Sequence, residues 1–193
     1  MDLYSNSLRD PGDKYDSLKW DFDESNYDII YLGGYPYKVL DTISDDKQEL
    51  VARKLHKLRL LNNKITDNMR RFAKGPGVDI YEYIHKNNNG TSNYLLSQIK
   101  PSTGFLGLNK PKNRVRTNDP FVGPDENIRA RQRDIFLTIN SKTEKITEPE
   151  LELFIHELAH TLSNHVQYRP DDHNLDFQAS EKLLWKIINS LYD

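Results

Sequence analysis

Thr147-Glu148-Pro149-Glu150-Leu151-Glu152-Leu153-Phe154-Ile155-His156-Glu157-Leu158-Ala159-His160-Thr161-Leu162 reads as an amphipathic helix that carries its own start signal. Thr147 and Glu150 stand at capping-box spacing, in which each side chain satisfies an orphan backbone N–H of the first turn. Pro149 is tolerated there because a first-turn N–H has no intrahelical partner to lose. Leu151, Phe154, Ile155, Leu158 and Leu162 then recur along one face, and Pro170 ends any continuation. His156 and His160 stand one turn apart on one face, so both can reach a single metal ion at about 2.0–2.1 Å. Glu157 sits beside them, where its carboxylate can serve as base toward a metal-activated water.

Outward from this helix, Arg133 to Asn140 reads as a strand, with Ile135, Leu137 and Ile139 on one face and Phe136 and Thr138 on the other. A last helix runs from about Asn174 to Tyr192 on Leu184, Ile187, Ile188 and Leu191. Near the other end, Ile29-Ile30-Tyr31-Leu32 and Tyr35-Pro36-Tyr37-Lys38-Val39-Leu40 flank Gly33-Gly34, the positive-φ pair of a two-residue hairpin turn, with Pro36 marking the second strand as an edge. Leu50, Val51, Leu55, Leu58, Leu61, Ile65, Met69 and Phe72 predict one long helix or two, with Asp45 or Asp46 as N-cap and Gly75-Pro76-Gly77 as a stop. Val78 to His85 fits either helix or strand, and Lys86 to Asn93 is a polar loop. Between residues 100 and 126, Pro101, Gly104, Gly107, Pro111, Pro120, Gly123 and Pro124 predict a long loop without regular structure.

The chain has 193 residues, enough for one real core, with 27 Lys and Arg against 29 Asp and Glu and no cysteine. Disulfide scaffolds, thiolate metal sites and thiol catalysis are thereby excluded, which leaves histidine, acids and hydroxyls to carry any chemistry. No stretch approaches the roughly 18 apolar residues of a membrane span, and the first residues lack a signal-peptide pattern, so a soluble intracellular protein, cytoplasmic or nuclear, is expected. Residues 1–26 read as an acidic, loosely held arm ahead of a domain expected over 27–193.

A catalytic zinc needs a third protein ligand and an open position, and His165, His173, Asp176 and Glu181 are the candidates. His165 falls about 140° round the helix from His160 and points elsewhere. His173 follows the turn-rich Tyr168-Arg169-Pro170-Asp171-Asp172 and sits at the mouth of the last helix. The run Ile135 to Asn140, then Phe154 to His160, then His173-Asn174-Leu175-Asp176-Phe177 resembles the SprT-like and WLM group of small zinc metallopeptidases, over about residues 133 to 190. Without cysteine, the chain lacks the Cys-rich ribbon that many members carry, and it departs from that group at Asn174, where a glycine is common. It is also similar to small zincins of large DNA viruses. The resemblance implies His156, His160 and His173 as zinc ligands, Glu157 as catalytic base, and the Phe136 to Asn140 strand as the sheet edge along which a substrate peptide lies. In the gluzincin pattern Glu181 would be the third ligand instead.

Lys100, Lys110, Lys112, Arg114, Arg116, Arg129, Arg131 and Arg133 face only Asp119, Asp125 and Glu126 within residues 100–133. This basic segment suits DNA or an acidic substrate, or balances the acidic arm as a solvated loop. Tyr168 and Arg169 are candidates for oxyanion stabilisation. The expectation is an α+β zincin-like single domain, its small mixed sheet built from the hairpin and the Arg133 strand and packed on the helix that bears the two histidines, with a following C-terminal helix. Its expected activity is zinc-dependent peptide-bond hydrolysis. A nucleic-acid-associated binding protein with a structural zinc site is the alternative.

Overall fold

The computed structural model describes residues 27–72, 95–100, 106–111, 133–162, 173 and 175–192. The expectations for the acidic arm, Val78 to His85, the Asn-rich loop, His165, Tyr168, Arg169 and most of the basic segment lie outside the described residues.

Strands β1 (Tyr27–Leu32) and β2 (Tyr35–Leu40) form the antiparallel hairpin, with Tyr31 opposite Pro36 and Leu32 opposite Tyr35. Gly33 and Gly34 have φ of 57° and 82°, the two positive values that a type I′ turn requires. Helix α1 (Asp45–Phe72) is a single helix of 28 residues. Its start is one residue earlier than the aspartates suggested: the Ser44 carbonyl accepts the Gln48 N–H at 2.9 Å, so Ser44 is the cap, and Asp45 and Asp46 fill the first turn, where the helix dipole favours acids. Val51, Leu55, Leu58, Leu61, Ile65 and Met69 are buried, as their spacing requires.

Two further strands, β3 (Leu95–Gln98) and β4 (Gly107–Pro111), join β5 (Arg133–Leu137) and the hairpin in one mixed sheet of order β1-β2-β3-β5-β4. β2 runs parallel to β3 and β3 to β5, while β4 closes the far end antiparallel to β5. Pro36 therefore does not make β2 an edge. The ladder to β3 pairs only Tyr37 and Lys38, beyond the proline, whose missing N–H leaves that ladder intact. β4 lies inside the 100–126 stretch expected to lack regular structure, and it corrects that expectation. β5 has Ile135, Phe136 and Leu137 all buried, so both faces of this strand are covered.

Helix α2 (Glu148–Leu162) packs on β4 and β5, and α3 (Leu175–Leu191) lies against both α1 and α2. α1 covers β1, β2 and β3, so the three helices form one connected layer on the sheet. The capping box is present: Glu150 N–H donates to Thr147 Oγ1 at 3.3 Å, and Glu150 Oε1 accepts the Thr147 N–H at 2.9 Å. Glu150 does more than cap. Its carboxylate also takes the Asn140 N–H at 3.0 Å and pairs at 2.8 Å with Lys54 Nζ, whose side chain is fully buried on α1. A buried ammonium needs this much compensation, and Lys54 also donates to the Asn140 carbonyl at 3.2 Å. The node fixes the start of α2 against α1. Among the described residues no helix is long and apolar enough to cross a membrane.

Candidate metal centre

Helix α2 brings His156 and His160 to the side that meets α3, and the chain re-enters at His173, two residues ahead of α3. One ring nitrogen from each of His156, His160 and His173 lies within 4.8 Å of the others. His156 Nε2 and His173 Nε2 are 3.1 Å apart, and the ring centroids stand 4.9 to 5.1 Å from one another. Four nitrogen or oxygen ligands set tetrahedrally at about 2.0–2.1 Å are separated by about 3.3 Å, so three neutral imidazoles at this spacing suit a divalent ion such as zinc. His156 is 2% exposed, whereas His160 and His173 are half-buried, which places the cluster at the boundary between core and solvent.

Phe177, four residues after His173, is buried in the middle of this group. Its ring centroid lies 4.9 Å from that of His156, 4.6 Å from His160 and 4.7 Å from His173. One aromatic ring thus limits the freedom of all three imidazoles. One turn further along α3, Glu181 Oε2 stands 3.2 Å from His156 Nδ1, on the other edge of the ring from Nε2. A carboxylate oxygen only accepts, so Nδ1 carries the proton and Nε2 presents its lone pair to the cluster. Glu181 therefore does not occupy the third-ligand position; the residue beside both α2 histidines is His173. Asp176 lies within α3, and its side chain is outside the described residues.

Glu157 is 2% exposed and faces strand β4. A Cβ placed on Gly107 would meet Glu157 Oε1 at 2.8 Å and Leu153 Cδ1 at 2.8 Å, so the strand passes the carboxylate with no room for a side chain. Asn109, on the same face two residues on, donates from Nδ2 to the Glu157 carbonyl at 2.6 Å and to Thr161 Oγ1 at 2.9 Å. These contacts hold β4 along α2.

Among the described residues, β4 is one of the two edges of the sheet, β1 being the other. β5 pairs with β3 on one side and β4 on the other, so the expectation that the Phe136 to Asn140 strand forms the substrate edge is corrected. That strand ends at Leu137. Thr138 N–H donates to the Leu106 carbonyl at 2.8 Å, which makes Leu106 and Thr138 a hydrogen-bonded pair. By the alternation of antiparallel ladders, Gly107 and Asn109, opposite Leu137 and Ile135, turn their N–H and C=O groups away from β5. Pro111 shares that outward phase, where a proline removes no ladder bond.

Sequence reasoning singled out four of these residues, His156, Glu157, His160 and His173, and the structure gathers the three histidines. It missed Gly107 and Asn109, which no local pattern marks. The orienting position of Glu181 was readable in principle from its i+4 spacing to Phe177, which puts both on one face of α3. No protein-family model, curated protein or solved structure matches this chain.

Proposed function

We propose that this protein is a zinc-dependent metallopeptidase. The observation that carries the reading is the convergence of His156, His160 and His173 beside a buried Glu157, along the same helix that borders β4, an edge strand among the described residues. Bound zinc supplies Lewis acidity, which lowers the pKa of water and polarises a substrate carbonyl. His156, His160 and His173 hold it. Glu157 accepts the water's proton on its carboxylate and returns it to the leaving amine. Strand β4, terminal in the described sheet and passing Glu157 at Gly107, receives an extended substrate backbone as an added strand, which seats the scissile bond next to Glu157. The spacing and strand-then-helix order shared with SprT-like and WLM peptidases support the same reading.

The test is Glu157→Gln in the full chain, with an unfolded protein such as casein as substrate. Zinc content should stay at the wild-type level while cleavage is lost, and full activity in the variant would sink the mechanism. A second reading rests on the basic excess over residues 100–133: association with DNA, read as binding that weakens steeply with salt. Salt-dependent DNA binding in a protein that cleaves nothing would favour a binding role.

A further inference from the structure

We infer that Glu181 is a positioning residue of the metal centre, which holds the His156 imidazole in the tautomer and orientation that deliver Nε2 to the histidine cluster. The inference rests on the metal-site reading above and adds to it a carboxylate that binds no metal itself.

The His156 ring is gripped from opposite edges. Nδ1 meets Glu181 Oε2 at 3.2 Å, and Nε2 lies 3.1 Å from His173 Nε2. Without the carboxylate, the neutral ring is free to protonate Nε2 instead, and that tautomer has no lone pair to offer the ion. Glu181 is held in turn by its helix: Phe177, Ser180 and Leu184 on α3 are buried around it, while the Glu181 side chain is 30% exposed. The same bond spans α2 and α3, so it ties the helix that follows His173 to the helix that bears the other two histidines. A hydrogen-bonded carboxylate of this kind also raises the basicity of the ligating nitrogen, and its loss typically costs about 10–100-fold in metal affinity.

The experiment titrates metal-free full-length protein with Zn2+ against a chromophoric chelator, for wild type, Glu181→Ala and Glu181→Gln, alongside thermal melts of the metal-free proteins. The expected result is a zinc Kd raised about 10–100-fold in Glu181→Ala, with recovery to within about threefold of wild type in Glu181→Gln, whose amide oxygen still accepts from Nδ1. Metal-free melting temperatures should stay together. Unchanged affinity in Glu181→Ala overturns the inference and leaves the metal centre standing. So does a loss that tracks a fall in metal-free melting temperature and is not restored by Glu181→Gln, since that pattern marks a purely structural tie. A wild-type protein that takes up no zinc overturns the metal centre itself.

Discussion

Gly107→Ala places one methyl group where strand β4 crosses Glu157. The new Cβ would stand 2.8 Å from Glu157 Oε1 and 2.8 Å from Leu153 Cδ1, closer than real Cβ contacts allow, and a tight 3.2 Å from Leu153 Cγ. Neither neighbour yields easily, because Leu153 is 5% exposed, Glu157 is 2% exposed, and Asn109 pins β4 to the Glu157 carbonyl at 2.6 Å. Backbone strain is not the issue, since positive φ among the described glycines occurs only at Gly33 and Gly34. Overpacking of this kind costs about 1–3 kcal/mol. Removing a glycine returns about 0.4–1 kcal/mol through the unfolded chain. The net loss should be about 1–2 kcal/mol, which for a domain of this size lowers the melting temperature by about 2–8 °C. Activity should fall further than stability. Displacing the carboxylate by about 1 Å is enough to cost about 100-fold in rate, whereas the three histidines on α2 and ahead of α3 are untouched and zinc uptake should persist. Thermal melts, zinc titration and casein cleavage on one preparation separate these effects. Wild-type stability together with wild-type cleavage would refute the claim that β4 presses against the base.

Lys54→Met should destabilise the fold by about 3 kcal/mol in urea unfolding, the lower end for breaking a buried ion pair, because Glu150 keeps the Thr147 and Asn140 N–H groups. A loss under about 1 kcal/mol would contradict the buried node. Phe177→Ala should cost about 3–5 kcal/mol and weaken zinc binding as well, because the ring touches all three imidazoles; unaltered zinc affinity in a folded variant would count against its packing role. His56 is held below its ordinary pKa, first by burial, which penalises the imidazolium, and then by Arg59. Neutral His56 accepts the Tyr37 hydroxyl on Nδ1 at 2.7 Å. Between the folded and unfolded pKa values the unfolded chain binds more protons, so this contribution is present above about pH 6.5 and is lost as pH falls through the lowered folded value. Urea midpoints should therefore drop less on acidification in His56→Gln than in wild type, and parallel curves would show that His56 plays no part.

The elements legible in the sequence were those whose signals are local. The Gly33-Gly34 turn, the period of Val51 to Met69 and the Thr147–Glu150 capping box each state their geometry within a few residues, and each is present. The histidine pair was legible for the same reason, and His173 through its spacing to Phe177. What failed was non-local. β3 has four residues and β4 five, and both owe their strand conformation to partners far away in the chain. β4 also begins with a glycine and ends with a proline, which read as breakers. In the fold the glycine admits the close pass over Glu157, and the proline sits in the outward phase of an edge. Misplacing the edge on β5 followed directly, since a strand's position in its sheet is set by what pairs beside it.

The most direct test of the metal centre is zinc content per chain, measured by elemental analysis of purified wild type and His173→Ala. The account predicts about one zinc per wild-type chain and a sharp fall in the variant, as expected when one of three protein ligands is lost. Wild-type protein without zinc, or equal zinc in both proteins, would contradict it.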